Sequence, residues 1–367
     1  MRRLAFFIVV VSSFPSVAAS CLIAVASAKE SQSDDTGLIK HTVSISMSHS
    51  LGWLRQKDKS LLQEKLSDEV YQEAVKQFGE ATSEEAVFRI YLPKGAQHIR
   101  ALFLISEHGV GGPMMEHRLL REFADKHHMA LIGVLGNPIQ RGIYPASALD
   151  SIIEQIGDKV NHPELGSAPV FTFGHSNGTG FSALYAAMRP NRVVGWVSYQ
   201  SGGSWHLVFP GVEEVPGLVM HAHQDNYFEN GQEQAVRDLR VERNAPVSLL
   251  VDGKSGHWPS DREATFALIL DFCESCIRVR FPGGTLATDA NMKPVSIEAG
   301  WLADRYDRSQ GGMQRLNVAP YGKYSGDKET ANWLPDGAFA KSWQRYAATG
   351  SPDEGDQKQR CLLCSQE

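Results

Sequence analysis

The sequence contains no block of basic residues, and this absence limits the partners that the protein could bind. Its 367 residues include 36 Lys and Arg against 42 Asp and Glu, which gives a net charge of −6 at pH 7. A nucleic-acid-binding protein needs clustered positive charge to offset the phosphates of its partner. Internal repeats and low-complexity tracts are also missing. Because 42% of the residues are hydrophobic and 21% are charged, we expect a globular protein with a large core and no nucleic-acid partner.

Long apolar runs are also in short supply, and the clearest one is at the N-terminus. There, Arg2 and Arg3 precede an apolar run over residues 4–11, and residues 26–28 (Ala-Ser-Ala) form a small-x-small cleavage site. This order predicts a signal peptide over residues 1–28 and an exported protein, either periplasmic or extracellular. Serine and proline residues interrupt the apolar stretch after residue 11, so we expect no transmembrane span in the mature chain.

Cysteine is scarce, with five residues in the chain. Cys21 follows an Ala-Ala-Ser stretch that weakly resembles a lipoprotein cleavage site, which makes a lipid anchor at Cys21 a less favoured alternative. The other four cysteines form two Cys-x-x-Cys pairs, Cys273 with Cys276 and Cys361 with Cys364. In an exported protein such cysteines favour disulfides over zinc. We predict two bridges that join the C-terminal tail to the last core helix. Bridges within each pair and a four-cysteine zinc site remain alternatives.

One segment combines an apolar strand, a tight turn and a helix around a single serine. Residues 170–178 read Val-Phe-Thr-Phe-Gly-His-Ser-Asn-Gly, and a helical pattern starts at Thr179. Glycines two positions before and after Ser176 remove side chains that would collide in a sharp turn, and such a turn pushes the serine hydroxyl outward. This is the strand–turn–helix context of a nucleophile elbow. We therefore predict that Ser176 is a catalytic nucleophile.

A serine hydroxyl reacts readily only when a base removes its proton, and two later segments offer partners for it. Asp225 follows an apolar strand predicted at 217–222, and His257 lies in a Gly-His-Trp loop after a strand predicted at 247–251. The order Ser, Asp, His along the chain is that of α/β-hydrolases. We predict that His257 takes and returns the proton and that Asp225 orients its ring.

Other acids and histidines near these positions are weaker candidates. Asp252 lies only a few residues before His257 on the same predicted loop, where an orienting geometry is awkward, and Glu229 is a second rival. His221 and His223 point to the same face of a predicted strand, but no third ligand is evident in the sequence. We therefore expect core or pocket-wall histidines, no metal site and no organic cofactor.

An acyl-transfer enzyme also needs backbone N–H donors for the oxyanion of its intermediate. A strand predicted at 101–106 runs into Glu-His-Gly-Val-Gly-Gly. A His-Gly pair followed by glycines, upstream of the elbow, is typical of the oxyanion loop of esterases with this fold. We predict that the oxyanion hole is formed by the backbone N–H of Asn177 and one backbone N–H from the segment of Gly109 and Val110.

These motifs carry a family resemblance. In His108-Gly109, the elbow around Ser176, Asp225 and His257, the chain resembles the α/β-hydrolase superfamily, in particular secreted esterases of the polyhydroxybutyrate depolymerase and feruloyl esterase group. The resemblance covers residues 85–280 and implies ester hydrolysis by a serine nucleophile. Two features depart from the depolymerases: the elbow reads His-Ser-Asn instead of small residues, and no module for binding an insoluble polymer is evident.

The strand and helix pattern agrees with that superfamily. Short apolar strands alternate with amphipathic helices, which predicts an α/β fold with a mainly parallel sheet covered by helices on both faces. We expect four segments: a signal peptide (1–28), an N-terminal lead-in with an amphipathic helix (29–84), the α/β-hydrolase domain (85–280) and an irregular C-terminal appendage (281–367) packed on the core. Further predicted strands are 86–92, 130–135 and 193–199, and predicted helices are 113–126, 147–160 and 338–348.

Together these features predict a secreted serine hydrolase that cleaves a small-molecule or oligomeric carboxylic ester through an acyl-enzyme. His108, Trp205 and Trp258 are predicted to contact the substrate, because the fold places them near the carboxyl ends of the strands, where ligands bind. A serine peptidase of the same fold and a non-catalytic binding protein that retains the fold are the alternatives. The sequence predicts no oligomeric state.

Overall fold

The computed structural model of the chain describes residues 32–33, 38–46, 83–107, 112–136, 139, 146–201, 204–226, 231–287 and 292–353. Several predictions therefore concern residues outside the described ranges. They are the signal peptide, the amphipathic helix before residue 83, the oxyanion-loop residues His108, Gly109 and Val110, the rival acid Glu229, and the cysteines Cys21, Cys361 and Cys364.

A nine-stranded sheet forms the centre of the fold. Its strands are β1 (Gln32–Ser33), β2 (Ile39–Ser46), β3 (Ser83–Tyr91), β4 (Ala101–Ser106), β5 (Met129–Leu135), β6 (Val170–His175), β7 (Val193–Tyr199), β8 (Gly217–Ala222) and β9 (Val247–Asp252). Across the sheet they lie in the order β1-β2-β3-β5-β4-β6-β7-β8-β9. Six neighbouring strands, β5, β4, β6, β7, β8 and β9, are parallel, whereas β2 pairs antiparallel with β3 and β3 with β5. The parallel strands are mostly apolar and buried, as expected when both faces are covered.

Helices cover both faces of this sheet. They are α1 (Gly112–Glu116), α2 (Arg118–His127), α3 (Ala146–Lys159), α4 (Thr179–Met188), α5 (Gln232–Arg243), α6 (Arg262–Arg280) and α7 (Gly337–Thr349). One apolar core receives α3, α4 and α5, and the other receives α2, α6 and α7. The predicted α/β-hydrolase fold class is thereby confirmed. None of the helices in the described ranges has both the length and the apolar character that a membrane span requires.

The helix predicted at 113–126 is two helices in the structure. His117 separates α1 from α2 with φ −69° and ψ 130°, which is extended backbone, so the helix stops and restarts there. Helix α6 begins after its N-cap Asp261, whose side chain accepts a hydrogen bond from the Ala264 N–H at 2.9 Å. The other predicted core elements lie within a few residues of their observed bounds.

The C-terminal appendage is more regular than its composition predicts. It forms a second, antiparallel sheet of β10 (Trp301–Ala303), β11 (Val318–Pro320) and β12 (Asn332–Leu334), in the order β11-β10-β12. Helix α7 then packs against α6 through Phe339 and Trp343, both 0% exposed. The strands are three residues long, too short to show an alternating pattern. Most aromatic residues of the appendage are buried and pack in its core, and Trp333 is 1% exposed.

The two cysteines of α6 do not support the predicted bridges to the tail. Cys273 and Cys276 are free thiols, and both are 0% exposed. The reason is the face of α6 on which they lie. A Cβ added at Gly195, in the sheet beneath, would be 3.0 Å from the Cys276 sulfur, so this thiol points into the core and away from the surface. Burial raises the pKa of both thiols well above its usual value, which keeps them protonated.

Candidate active site

Ser176 lies at the turn between β6 and α4, where the backbone takes a conformation that most side chains avoid. Its φ is +54°, and a 3-10 turn over Ser176–Gly178 leads directly into α4. Thr179 Oγ1 donates to the Ser176 carbonyl at 2.6 Å and holds the turn. A non-glycine residue in this region costs on the order of 1–3 kcal/mol and persists only where its surroundings fix it. The backbone thus has the strain that the sequence motif predicts.

The two glycines of the motif are required by close backbone contacts. A Cβ added at Gly174 would lie 2.0 Å from the Gly178 carbonyl oxygen, and one added at Gly178 would lie 1.9 Å from the Ser106 carbonyl oxygen. Both distances are far shorter than van der Waals contact, and the atoms approached belong to the backbone, so they cannot swing aside. Gly178 therefore lets the turn pack directly against the end of β4.

Three side chains from separate loops meet at the carboxyl ends of the parallel strands. The Ser176 hydroxyl lies 3.0 Å from Nε2 of His257, and Nδ1 of His257 lies 2.9 Å from Oδ2 of Asp225. The Asp225 side chain is 1% exposed, whereas that of His257 is 28% exposed. A carboxylate can only accept, so Nδ1 carries a proton and Nε2 of the neutral ring is left to accept from the serine hydroxyl. The structure thus brings together the three residues predicted to act in catalysis.

The pairing of His257 with Asp225 follows from the strand order. β8 and β9 are parallel neighbours, so the loops after them leave the same edge of the sheet side by side. Asp225 follows β8 in a tight turn, in which its N–H donates to the Ala222 carbonyl at 3.2 Å. His257 lies in the loop after β9. Adjacent loops at this edge are where open α/β sheets form their sites.

The rival acid Asp252 has a different set of partners. It accepts from the backbone N–H groups of Lys254 at 2.9 Å and Ser255 at 3.3 Å, and from the hydroxyls of Ser255 at 2.7 Å and Tyr346 at 2.9 Å. These four donors occupy the lone pairs of both carboxylate oxygens. Asp252 therefore closes the loop that carries His257, and the carboxylate that contacts the imidazole is the more distant one along the chain.

The other histidines near this site differ in how deeply they are buried. His221 is 0% exposed, its Nε2 lies 3.0 Å from the Ser201 carbonyl, and burial lowers its pKa. Burial lowers the pKa of His206 to about 3, so that ring is neutral too. His223 is exposed instead of lying in the core, and its Nδ1 lies 3.1 Å from the Tyr306 hydroxyl. Within the described residues, no cluster of histidine, cysteine and acidic side chains could hold a metal ion.

One buried pair of side chains beside Ser176 is not predicted from the sequence. His175 and Glu107 are 1% and 5% exposed, and Nδ1 of His175 lies 3.5 Å from Oε1 of Glu107. Nε2 of His175 lies 3.1 Å from the carbonyl oxygen of His257 and must donate to it, because a carbonyl only accepts. The other Glu107 oxygen accepts from the Met114 N–H at 3.2 Å. An acid directly at the end of the apolar strand β4 is the sequence signal that could have revealed this pair.

The structure describes some of the residues that are predicted to bind the oxyanion and the substrate. Asn177 is exposed directly after Ser176, at the N-terminal end of α4. The Trp258 ring is 47% exposed and meets the His175 ring edge-on, with centroids 4.5 Å apart. The backbone of Trp205 belongs to a 3-10 helix over Trp205–Val208, and its side chain lies outside the described part of the structure. A half-exposed aromatic ring therefore lies beside His175 and His257.

No protein-family model and no curated protein matches the chain. Solved structures resemble it weakly. An S-formylglutathione hydrolase from Staphylococcus aureus shares 12% identity over 47% of this chain and 87% of its own, with a TM-score of 0.37. A dienelactone hydrolase from Anabaena variabilis shares 19% identity over 51% of this chain and 88% of its own, with a TM-score of 0.38. Est1E from Butyrivibrio proteoclasticus shares 14% identity over 53% of this chain and 95% of its own, with a TM-score of 0.37. Similarity this low assigns no function, and the fold rests on the sheet topology.

Proposed function

We propose that this chain is a serine hydrolase that cleaves carboxylic esters through an acyl-enzyme intermediate. The observation that carries the proposal is the continuous hydrogen-bond chain from Ser176 through His257 to Asp225, at 3.0 and 2.9 Å. A hydroxyl at a strained turn, a ring nitrogen free of its proton and a buried carboxylate behind the ring are the groups that nucleophilic acyl transfer requires.

In the proposed mechanism, the Ser176 oxygen attacks the ester carbonyl carbon while Nε2 of His257 takes the hydroxyl proton. The tetrahedral intermediate then expels the alcohol, which receives that proton from Nε2, and the acyl group stays on Ser176. A water molecule repeats the sequence: it loses a proton to Nε2, attacks the acyl carbon and releases the acid as the serine regains its proton. Asp225 stabilises the doubly protonated ring in both halves.

The remaining predicted roles form part of this proposal. The backbone N–H of Asn177 and one N–H from the segment of Gly109 and Val110 would bind the oxyanion, and the N-terminal end of α4 adds positive potential there. His108, Trp205 and Trp258 would contact the substrate, and the exposed ring of Trp258 supports an aryl or acyl group at this rim. We further propose that the protein is exported after removal of residues 1–28 and that its substrates are like those of the depolymerase and feruloyl esterase group.

The first experiment is to replace Ser176 with alanine. We expect Ser176→Ala to lower kcat for a short-chain aryl ester by a factor on the order of 10³ or more, because the nucleophile is lost. It should also abolish labelling by a fluorophosphonate probe. The matched control is Ser151→Ala, which removes a hydroxyl that donates to the Ser147 carbonyl on α3 at 3.1 Å. Wild-type activity in Ser176→Ala, with the same unfolding midpoint, would refute the nucleophile.

The substrate class needs a separate comparison. Purified protein should be tested against acetyl, butyryl, feruloyl and hydroxyalkanoate esters and against matched peptide amides. We expect turnover of esters and much slower release from amides. Faster cleavage of amides would favour the peptidase alternative. A wild-type chain that neither reacts with the probe nor turns over any substrate would favour a non-catalytic binding protein.

A further inference from the structure

A buried hydroxyl of the C-terminal appendage contacts the loop that carries His257. Tyr346 of α7 is 1% exposed and donates to Oδ2 of Asp252 at 2.9 Å, and it lies 2.8 Å from Thr265 Oγ1. Burial raises the pKa of Tyr346 well above its usual value, so the hydroxyl keeps its proton and acts as a donor. Tyr346 and Asp252 are 94 positions apart in the chain. The contact therefore joins the appendage to the core.

Asp252 transmits this contact to the backbone on both sides of His257. Its Oδ1 accepts from the N–H groups of Lys254 and Ser255, and its Oδ2 accepts from the Ser255 hydroxyl. Ser255 Oγ in turn accepts from the Ser260 N–H at 2.9 Å. His257 lies between Ser255 and Ser260. The acid thus ties together the two ends of the short loop whose middle presents the imidazole.

A second tyrosine of the appendage reaches the neighbouring loop. The Tyr306 hydroxyl lies 3.1 Å from Nδ1 of His223, two residues before Asp225, and donates to the Gly312 carbonyl at 3.2 Å. The two core loops are also bonded to each other, because the His223 N–H donates to the Asp252 carbonyl at 2.8 Å. The appendage therefore contacts the loop of the acid as well as the loop of the base.

The backbones at this junction are in close contact. A Cβ added at Gly253 would lie 2.3 Å from the carbonyl carbon of Gly312, so the loop after β9 and the appendage segment around Gly312 meet without side chains between them. Contact this close leaves little room for either segment to shift. Displacement of a catalytic group by 1 Å can cost about 100-fold in rate.

We propose that the C-terminal appendage positions the catalytic base, with Tyr346 as the positioning residue that acts through Asp252 on the loop of His257. The inference rests on the proposed hydrolase function. It gives the appendage a part in catalysis: it holds the two loops in register so that the imidazole faces Ser176. Tyr306 supports the Asp225 side of the same arrangement.

The test is Tyr346→Phe, which removes one oxygen and keeps the buried ring. We expect kcat for an aryl ester to fall about 10-fold while KM changes by less than about twofold, because positioning of the base affects the chemical step and not substrate binding. Hydrogen exchange at the Lys254 and Ser255 amides should become faster, because Asp252 loses the donor that fixes it.

Tyr324→Phe is the matched control. Tyr324 is 6% exposed and donates to Asp304 at 2.6 Å, so this variant also removes a buried tyrosine hydroxyl bonded to an acid of the appendage. Tyr324 packs in a separate apolar cluster with Leu302 and Trp333. We expect it to lose stability similar to that of Tyr346→Phe while kcat stays within about twofold of wild type.

Equal losses of kcat in the two variants, or none in Tyr346→Phe, would overturn the proposal, since the hydroxyl would then have only a structural role or none. If Tyr346→Phe does not fold, Tyr306→Phe replaces it, with the same direction expected in kcat and faster exchange around His223. Failure of the wild type to react with a fluorophosphonate would instead refute the proposed function. The exchange comparison would still decide whether Tyr346 orders the loop.

Discussion

Two buried acids at the ends of neighbouring strands have different tasks. Asp225 and Asp252 are both buried, follow β8 and β9, and lie at the same edge of the sheet. Asp252 is far closer to His257 in sequence, yet the imidazole pairs with Asp225, 32 residues away. A carboxylate that already accepts four hydrogen bonds from its own loop and from Tyr346 cannot turn toward the ring. The comparison shows that the acid nearer to His257 in the chain closes its own loop, whereas the acid that contacts the ring comes from the loop after a second strand.

The largest difference between the two acids is expected in activity. Asp225→Asn places an amide behind His257, and its NH₂ would donate to Nδ1, which forces the proton onto Nε2 and removes the base. We expect kcat/KM for an aryl ester to fall by a factor on the order of 10³–10⁴, with little change in the urea midpoint. Steady-state kinetics and urea unfolding of the same preparation check this. A loss smaller than about 10-fold would mean that Asp225 does not orient the base.

A smaller loss of activity, and a larger loss of stability, is expected at Asp252. In Asp252→Asn the side-chain oxygen can still accept from Lys254 and Ser255, but the amide nitrogen cannot accept from the two hydroxyls. We expect the free energy of unfolding to fall by about 1–3 kcal/mol, as for a weakened buried hydrogen-bond network. The loss of kcat should resemble that of Tyr346→Phe and stay well below that of Asp225→Asn. An Asp252→Asn variant as inactive as Asp225→Asn, at wild-type stability, would erase the distinction between the two acids.

The sequence predicts the contact of Asp225 with His257 much better than the loop-closing contacts of Asp252. Ser176, Asp225 and His257 each end or follow an apolar strand, and their chain order matches one fold, so local pattern suffices to nominate them. The contact of Tyr346 with Asp252 leaves no such pattern, because it joins segments 94 residues apart that pack together only after folding. The same holds for His175 and Glu107, whose pairing depends on how β4 lies beside β6. The catalytic roles of Ser176, Asp225 and His257 remain predictions until the variants are measured.

The fold class could be predicted because strand and helix periodicity is visible in elements of six residues or more. The appendage could not, since three-residue strands carry no period, and its small sheet depends on pairing over distance. The two cysteines of α6 misled the prediction for a related reason. Cys-x-x-Cys spacing indicates chemistry only when the thiols are accessible, and here both are fully buried. Which face of a helix is buried depends on packing, not on the motif.

The smallest effect is expected where the appendage touches the same loop at the surface. Lys254 is exposed, and its ammonium donates to the carbonyl of Thr349, the last residue of α7, at 2.6 Å. Lys254→Met keeps the chain length and removes the donor. We expect a loss of about 0.3–1 kcal/mol in the free energy of unfolding, reduced by added salt, because an exposed charge at a helix C-terminus is screened by water and ions. Activity should stay within about twofold of wild type.

If kcat instead fell as far as in Tyr346→Phe, then loosening any contact between the appendage and the loop would suffice, and the buried hydroxyl would have no special part in holding His257. The two variants therefore separate a positioning contact from ordinary adhesion, because they act on the same loop and the same helix and differ mainly in whether the bond is buried and reaches Asp252.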